Sequence, residues 1–201
     1  FPNISDGWAC EKFQREKIFS GIQDADEEDY IIYSDSDEIP NPKQIENFVA
    51  KKKYGIFMQK FYVFKFNIFN KFESPWEGSR ICKRKDLKSF TYLRKKILKK
   101  NLNKPFWKFN LEKNVQIIEN GGWHFNNFYP IQTISKKLKT FPHKEYNSEK
   151  FTNLGIIKKK ILNLEDLFER GHKYEKVKID ESYPDFLIKN IKYYKDYILE
   201  Q

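Results

Sequence analysis

The sequence predicts an α/β fold, and two stretches carry that prediction. An uncharged, β-rich run, Tyr30–Tyr33, stops at three carboxylates within four residues, Asp35, Asp37 and Glu38, and then meets Pro40 and Pro42. A buried strand thereby delivers acid groups to its exposed end and gives way to a helix, because proline ends a hydrogen-bonded ladder and suits a first helical turn. Further on, Ile56–Ile68 alternates. Ile56, Met58, Tyr62, Phe64, Phe66 and Ile68 share one face, and Gln59, Lys65 and Asn67 the other, which is the period of a long strand. With 201 residues, 39% of them apolar, the chain can bury a sizeable core, and one domain over residues 1–201 is expected.

Taken in order, Asp6 or Ser5 caps a helix over Trp8–Ile22, with Trp8, Ala9, Phe13 and Ile22 as its apolar stripe. The acidic loop Asp24–Asp29 feeds the first strand. Lys43–Lys53 gives a helix with Ile45, Phe48 and Val49 on one face, and Gly55 ends it. After the alternating strand, Phe72–Arg84 reads as a loop over a site, with a short strand at Ile81–Lys83. Asp86–Lys100 is a lysine-rich helix with a partial apolar face of Leu87, Phe90, Leu93 or Arg94, Ile97 and Leu98, and is expected to be solvated. Val115–Ile118 is a short strand that ends at Glu119-Asn120-Gly121-Gly122-Trp123-His124, repeating the order of the first strand, apolar run and then polar groups. Helices follow from Pro130, carrying Ile131, Ile134, Leu138 and Phe141, and over Ser148–Leu162. The tail, Pro184–Leu199, sets Leu187, Ile191, Tyr194 and Ile198 at helical spacing for docking on the core.

The charge balance is basic: 38 Lys plus Arg against 28 Asp plus Glu, a formal net charge of +10. Such a surface suits nucleic acid, an anionic membrane surface or a phosphorylated substrate. Arginine stands only at 15, 80, 84, 94 and 170, however, and base-edge recognition favours arginine over lysine. With no nucleic-acid-binding motif in the chain, a nucleic-acid module is the lesser alternative and no nucleic-acid partner is expected. Cys10 and Cys82 lack a zinc spacing. No run approaches the ~18 apolar residues of a membrane span, and no signal peptide opens the chain. The expected location is the cytoplasm, with peripheral contact to the inner membrane surface.

On an extended chain, residues two apart point the same way, so Asp35 and Asp37 face one point and attract a cation. Hard oxygen pairs suit Mg²⁺ or Mn²⁺, which complete their shells with water and substrate phosphate. An EF-hand is excluded, since Ile39, Pro40 and Asn41 do not supply its ligand order. Gly121 and Gly122 permit close ligand approach, Trp123 stacks on a sugar ring or fills the core, and His124 completes a metal shell or binds a diphosphate. His172 and His143 are rivals for that last role.

Three strings, Ser34-Asp35-Ser36-Asp37-Glu38-Ile39-Pro40, Gly122-Trp123-His124-Phe125 and Tyr183-Pro184-Asp185-Phe186-Leu187-Ile188-Lys189-Asn190, together with Trp8, Glu11 and Arg15, resemble glycosyltransferase family 17 in order and spacing. That family includes the β-1,4-mannosyl-glycoprotein N-acetylglucosaminyltransferase. The resemblance covers essentially the whole chain. It implies a GT-A-like mixed sheet flanked by helices, a UDP-sugar or similar nucleotide-sugar donor, a glycan or lipid-linked acceptor, and inversion at the anomeric carbon. It also implies a divalent metal on Asp35 and Asp37 with His124, and donor contacts at Arg15, Ser34, Asp35, Gly121, Gly122, Trp123 and His124. Members of that family usually begin several tens of residues earlier, so a domain lacking its first strand–helix unit is expected. For the base that takes the acceptor proton, Glu145 is the first choice, with Glu77 and Glu38 as alternatives. An inactive remnant that binds sugars or a partner chain is the other alternative.

Overall fold

The computed structural model of the protein describes residues 6–140 and 144–200. In chain order its elements are α1 (Gly7–Lys17), β1 (Tyr30–Tyr33), β2 (Glu38–Pro40), α2 (Pro42–Glu46), β3 (Tyr54–Val63), β4 (Ile68–Asn70), β5 (Trp76–Lys83), α3 (Phe90–Lys95), β6 (Val115–Asn126), α4 (Ile131–Thr140), α5 (Glu149–Thr152), α6 (Leu154–Leu162), β7 (Tyr174–Lys176) and α7 (Asp185–Asn190). Short 3-10 segments join them. The chain gathers into two compact units, one of residues 1–59 and 77–122, the other of residues 60–76 and 123–201.

In the first unit β1 pairs antiparallel with β5, Tyr30 opposite Lys83 and Tyr33 opposite Arg80. β5 neighbours β3, and β6 pairs with both β3 and β2. β3 is buried almost throughout, which requires cover on both faces. Its alternation sorts the core accordingly. Ile56 and Met58 pack with Ile31, Tyr33, Leu87, Phe90, Leu93 and Ile97, while Phe57 joins Ile81 and Ile118 under Ile45 and Phe48 of the α2 region. Helical segments therefore flank the strands on either side.

The second unit repeats this scheme. β3 pairs antiparallel with β4, and β4 with β7. Phe61 and Val63 pack with Ile134 and Leu138 of α4 and Ile157 and Ile161 of α6, whereas Tyr62 faces Trp123, Phe125, Tyr183 and Leu187. Tyr54 N–H donates to Asn114 O, and Phe64 N–H donates to Asn126 O. β3 and β6 thus run in the same direction, and the sheet is mixed.

Several expected elements differ from those observed. The expected stripe on the first helix is only partly used: Trp8 and Phe13 are exposed, Ile22 packs on the core from the 3-10 segment that follows α1, and the residue α1 buries is Arg15, which turns inward to a tyrosine hydroxyl. The cap is as expected, with Asp6 Oδ1 accepting from Trp8 and Ala9 N–H. The long strand Ile56–Ile68 breaks after Val63, where Phe64 takes a positive φ of 62°. The expected loop through Trp76–Arg80 is instead the first part of β5, hidden from pattern reading because that strand buries Ser79 and Arg80 beside Ile81 and Cys82. The lysine-rich helix is short, capped by Ser89 Oγ, and its Phe90 and Leu93 are deeply buried rather than solvated. Asn153 divides Ser148–Leu162 by capping α6. Phe141 and His143 lie outside the described residues.

The largest difference is β6, one strand of 12 residues where a four-residue strand and a loop were expected. Its paired glycines sit inside the strand. A Cβ on Gly121 would lie 2.6 Å from Met58 N, and one on Gly122, whose φ is +130°, would lie 2.1 Å from Ile39 O. The glycines admit the backbones of β3 and β2. Gly122→Ala is expected to destabilise the fold by about 3 kcal/mol or more, while Gly21→Ala, with open space at its Cβ, changes stability by less than about 1 kcal/mol. Denaturant unfolding of the two variants measures the difference.

Candidate functional site in the first unit

β1 ends at Tyr33, and the chain turns at once: Glu38 N–H donates to Asp35 O at 3.0 Å. Asp35, Ser36, Asp37 and Glu38 are therefore a tight turn, which corrects the extended geometry expected of Asp35 and Asp37. Both acids still come off the end of an apolar strand, but each points where the turn sends it. Glu38 then enters β2, Asn41 N–H donates to Gly121 O, and Asn41 Oδ1 caps α2.

What holds the turn is arginine. Arg94 Nη2 lies 2.8 Å from Asp35 Oδ2 and 2.8 Å from Glu38 Oε1, and its Nη1 donates to the carbonyls of Glu77 and Gly78. Asp35 N–H donates to Glu38 Oε2 at 3.3 Å. Asp35 Oδ1 accepts from Tyr33 Oη at 2.6 Å, and Tyr33 Oη accepts from Arg15 Nε at 3.1 Å. Arg15 in turn pairs with Glu11 at 2.5 Å. The result is a continuous chain of groups, Glu11, Arg15, Tyr33, Asp35, Arg94 and Glu38, alternating in charge around one neutral hydroxyl. Burial pushes the Tyr33 phenol up to about 12, with the Asp35 hydrogen bond adding to it, so Tyr33 stays a proton donor to Asp35. For Arg15, burial works downward, and the bonds to Glu11 and Tyr33 outweigh it, leaving the guanidinium raised and charged.

Behind this chain Arg80, almost fully buried, donates to Ile97 O, Glu77 O and Gly78 O and pairs with Glu77 Oε2 at 3.5 Å. Burial, reinforced by neighbouring Arg94, pushes it down to about 10, still well above neutrality. Ser34 Oγ donates to Ser79 Oγ at 2.7 Å, and Gln59 Nε2 donates to the same oxygen.

The expected site residues divide accordingly. Arg15, Ser34, Asp35, Asp37, Glu38, Glu77, Gly121 and Gly122 belong to the first unit, and Trp123, His124 and Glu145 to the second. Glu38 and Glu77 hold arginines, and Glu77 Oε2 also accepts from Lys99 N–H. Trp123 is a core residue whose Nε1 donates to Ser182 O at 2.9 Å. His124 lies in mid-strand, not after one, with its ring between Phe61 at 4.3 Å and Trp76 at 4.8 Å; packing under Trp123 is thereby replaced by packing on two other rings. His172 stacks on Phe72, with Nδ1 3.5 Å from Glu73 Oε2 and 3.2 Å from Arg170 Nη2. Glu145 is exposed on the 3-10 turn Lys144–Tyr146. The residues that sequence reading missed are Tyr33, Ser79, Arg80 and Arg94. For the two arginines the one signal was the rarity of that residue, since three of the five, Arg15 among them, form this lattice.

The donor set does not fit a divalent metal on Asp35. Both of its oxygens are engaged, one by a hydroxyl and one by a guanidinium. Among the described residues, no group of three or more His, Cys, Asp or Glu side chains is gathered to hold an ion. No described helix is long and apolar enough to cross a membrane. Comparisons with family models, curated proteins and solved structures returned no match.

Replacing Arg94 by Met strips the counter-charge from Glu38, whose side chain is fully buried, and is expected to cost about 3–5 kcal/mol. Adding Glu38→Gln should recover part of that loss. A double-mutant cycle by chemical unfolding reads the coupling, and additive losses would disprove it.

Proposed function

We propose that the protein is a glycosyltransferase that moves N-acetylglucosamine or a similar hexose from a nucleoside-diphosphate donor, a UDP-sugar, to a glycan or lipid-linked acceptor with inversion. The observation that carries this reading is Asp35, a carboxylate held from two sides yet 34% exposed. A carboxylate offers about four acceptor positions, of which Tyr33 and Arg94 take two. About two remain, on a group that cannot swing away, for the adjacent hydroxyls of a ribose or hexose ring. Vicinal hydroxyls are donors at a fixed spacing, and a fixed acceptor selects them at little entropic cost. The resemblance of the surrounding string to family 17 supports the same assignment, and the excess of lysine suits an anionic donor and leaving group.

In the displacement, the acceptor hydroxyl oxygen bonds to the anomeric carbon as that carbon's bond to the diphosphate oxygen breaks. The electron pair leaves with the diphosphate, and a carboxylate takes the hydroxyl proton. Glu38 and Glu77 are tied to arginines. Glu145, the first choice from the sequence and exposed on its 3-10 turn, is assigned the proton. The metal expected from the resemblance enters no step here, since Asp35 already carries a cation, Arg94.

Calorimetric titration with uridine diphosphate, run once with Mn²⁺ and once with chelator, tests the donor site. Binding in at least one condition is expected, weakened about tenfold or more by Asp35→Asn. Absence of binding in both conditions, or indifference to that substitution, would overturn the reading. Glu145→Gln should leave that affinity unchanged and lower turnover at least about 100-fold, whereas full turnover would remove Glu145 from the reaction.

A further inference from the structure

Between α3 and β6 the first unit carries a segment that takes no part in the arginine lattice beyond the Lys99 amide. It runs from the 3-10 turn Lys99–Asn103 to Lys113. Its foot is pinned: Asn101 is buried and its Nδ2 donates to Lys96 O and Glu112 O, and Lys113 Nζ donates to Pro105 O. Its tip is folded, with Lys108 N–H on Pro105 O and Leu111 N–H on Lys108 O. Yet that tip holds its rings outward. Phe106 is 78% exposed, Trp107 61% and Phe109 86%, and Leu102 at the foot is exposed as well. Phe106 and Trp107 meet edge to face at 5.2 Å.

Apolar rings kept in water on an ordered loop need a partner that removes them from it. Charge says which. Residues 99–113 contain Lys99, Lys100, Lys104, Lys108 and Lys113 against one acid, Glu112. Lys100, Lys104 and Lys108 are exposed and alternate with the rings. A second copy of this surface would bring like charges together. A nucleic acid would call for arginine and for open ring faces on which bases stack, but the segment has no arginine and two of its rings meet edge to face. An anionic bilayer takes both features at once, with Phe and Trp entering the interface and lysine ammonium groups remaining at the headgroup phosphates.

We infer that the loop Lys99–Lys113 is a docking surface for an anionic lipid bilayer, with Phe106, Trp107 and Phe109 inserted and Lys100, Lys104 and Lys108 on the headgroups. The inference does not depend on the glycosyltransferase reading.

The test is co-sedimentation of the full chain with phosphatidylcholine vesicles, alone and with about a third phosphatidylglycerol. The mixed vesicles should bind the chain at least about tenfold better, less so as salt rises. The triple change Phe106→Ser, Trp107→Ser and Phe109→Ser should abolish that binding with far-ultraviolet dichroism unchanged. Changing Lys100, Lys104 and Lys108 to Gln should remove the preference for the anionic lipid. Should the serine variant fail to fold, Trp107→Phe decides: it should still bind but lose most of the fluorescence quenching by bromine-labelled lipid. No sedimentation with either vesicle, binding unchanged by the serine variant, or quenching unchanged in Trp107→Phe would each overturn the proposal. So would vesicle indifference combined with ring-dependent binding of a polynucleotide or ring-dependent dimerisation.

Discussion

One guanidinium nitrogen organises the first unit. Arg94 Nη2 stands equally close to Asp35 and Glu38, and a carboxylate as deeply buried as Glu38 is tolerable only with such a partner. From that contact the local geometry follows. The turn after β1 is closed, Glu38 enters β2, and Asn41 is placed to cap α2 and to bond Gly121. Gly121 and Gly122 are needed because β2 and β3 come so near that no side chain fits. An electrostatic constraint at one end of a short strand thus reaches the composition of another strand 80 or so residues later.

The same arginine lattice shapes what the site can do. Asp35, gripped by Tyr33 and Arg94, is a positioned acceptor, better suited to hydroxyl donors than to a hard cation that would compete with a guanidinium already in place. Arg80 and Glu77 stand behind it and fix the β5 carbonyls on which Arg94 also rests. Rigidity of this kind reduces the ordering cost of binding any ligand that meets Asp35.

The second unit solves a different problem, burying aromatic rings that carry polar atoms. Trp123 Nε1 finds Ser182 O, and Tyr183 Oη finds Phe66 O, each removing the penalty of an unpaired donor. Burial then raises the Tyr183 phenol. Asp166 draws the backbone amides of Phe168, Arg170 and His172 around itself, which orders a segment with two left-handed residues, Glu169 and Gly171.

By itself the sequence determined the class of fold, the apolar strand Tyr30–Tyr33 with acids at its end, the cap at Asp6, and the core-facing period of β3, because each rests on spacing along a few residues. It could not decide Arg15, Arg80 and Arg94, whose burial depends on carboxylates and carbonyls brought in from elsewhere. Nor could it show β5 and β6 as long strands: buried polar residues in β5 break the alternation that marks a strand, and glycine pairs look like turns until neighbouring backbones are seen to need their space. Trp123 and His124 read as ligand groups for the same reason. A ring near a strand end serves a site or a core according to what packs on its faces, and only the tertiary structure brings Phe61 and Trp76 to His124.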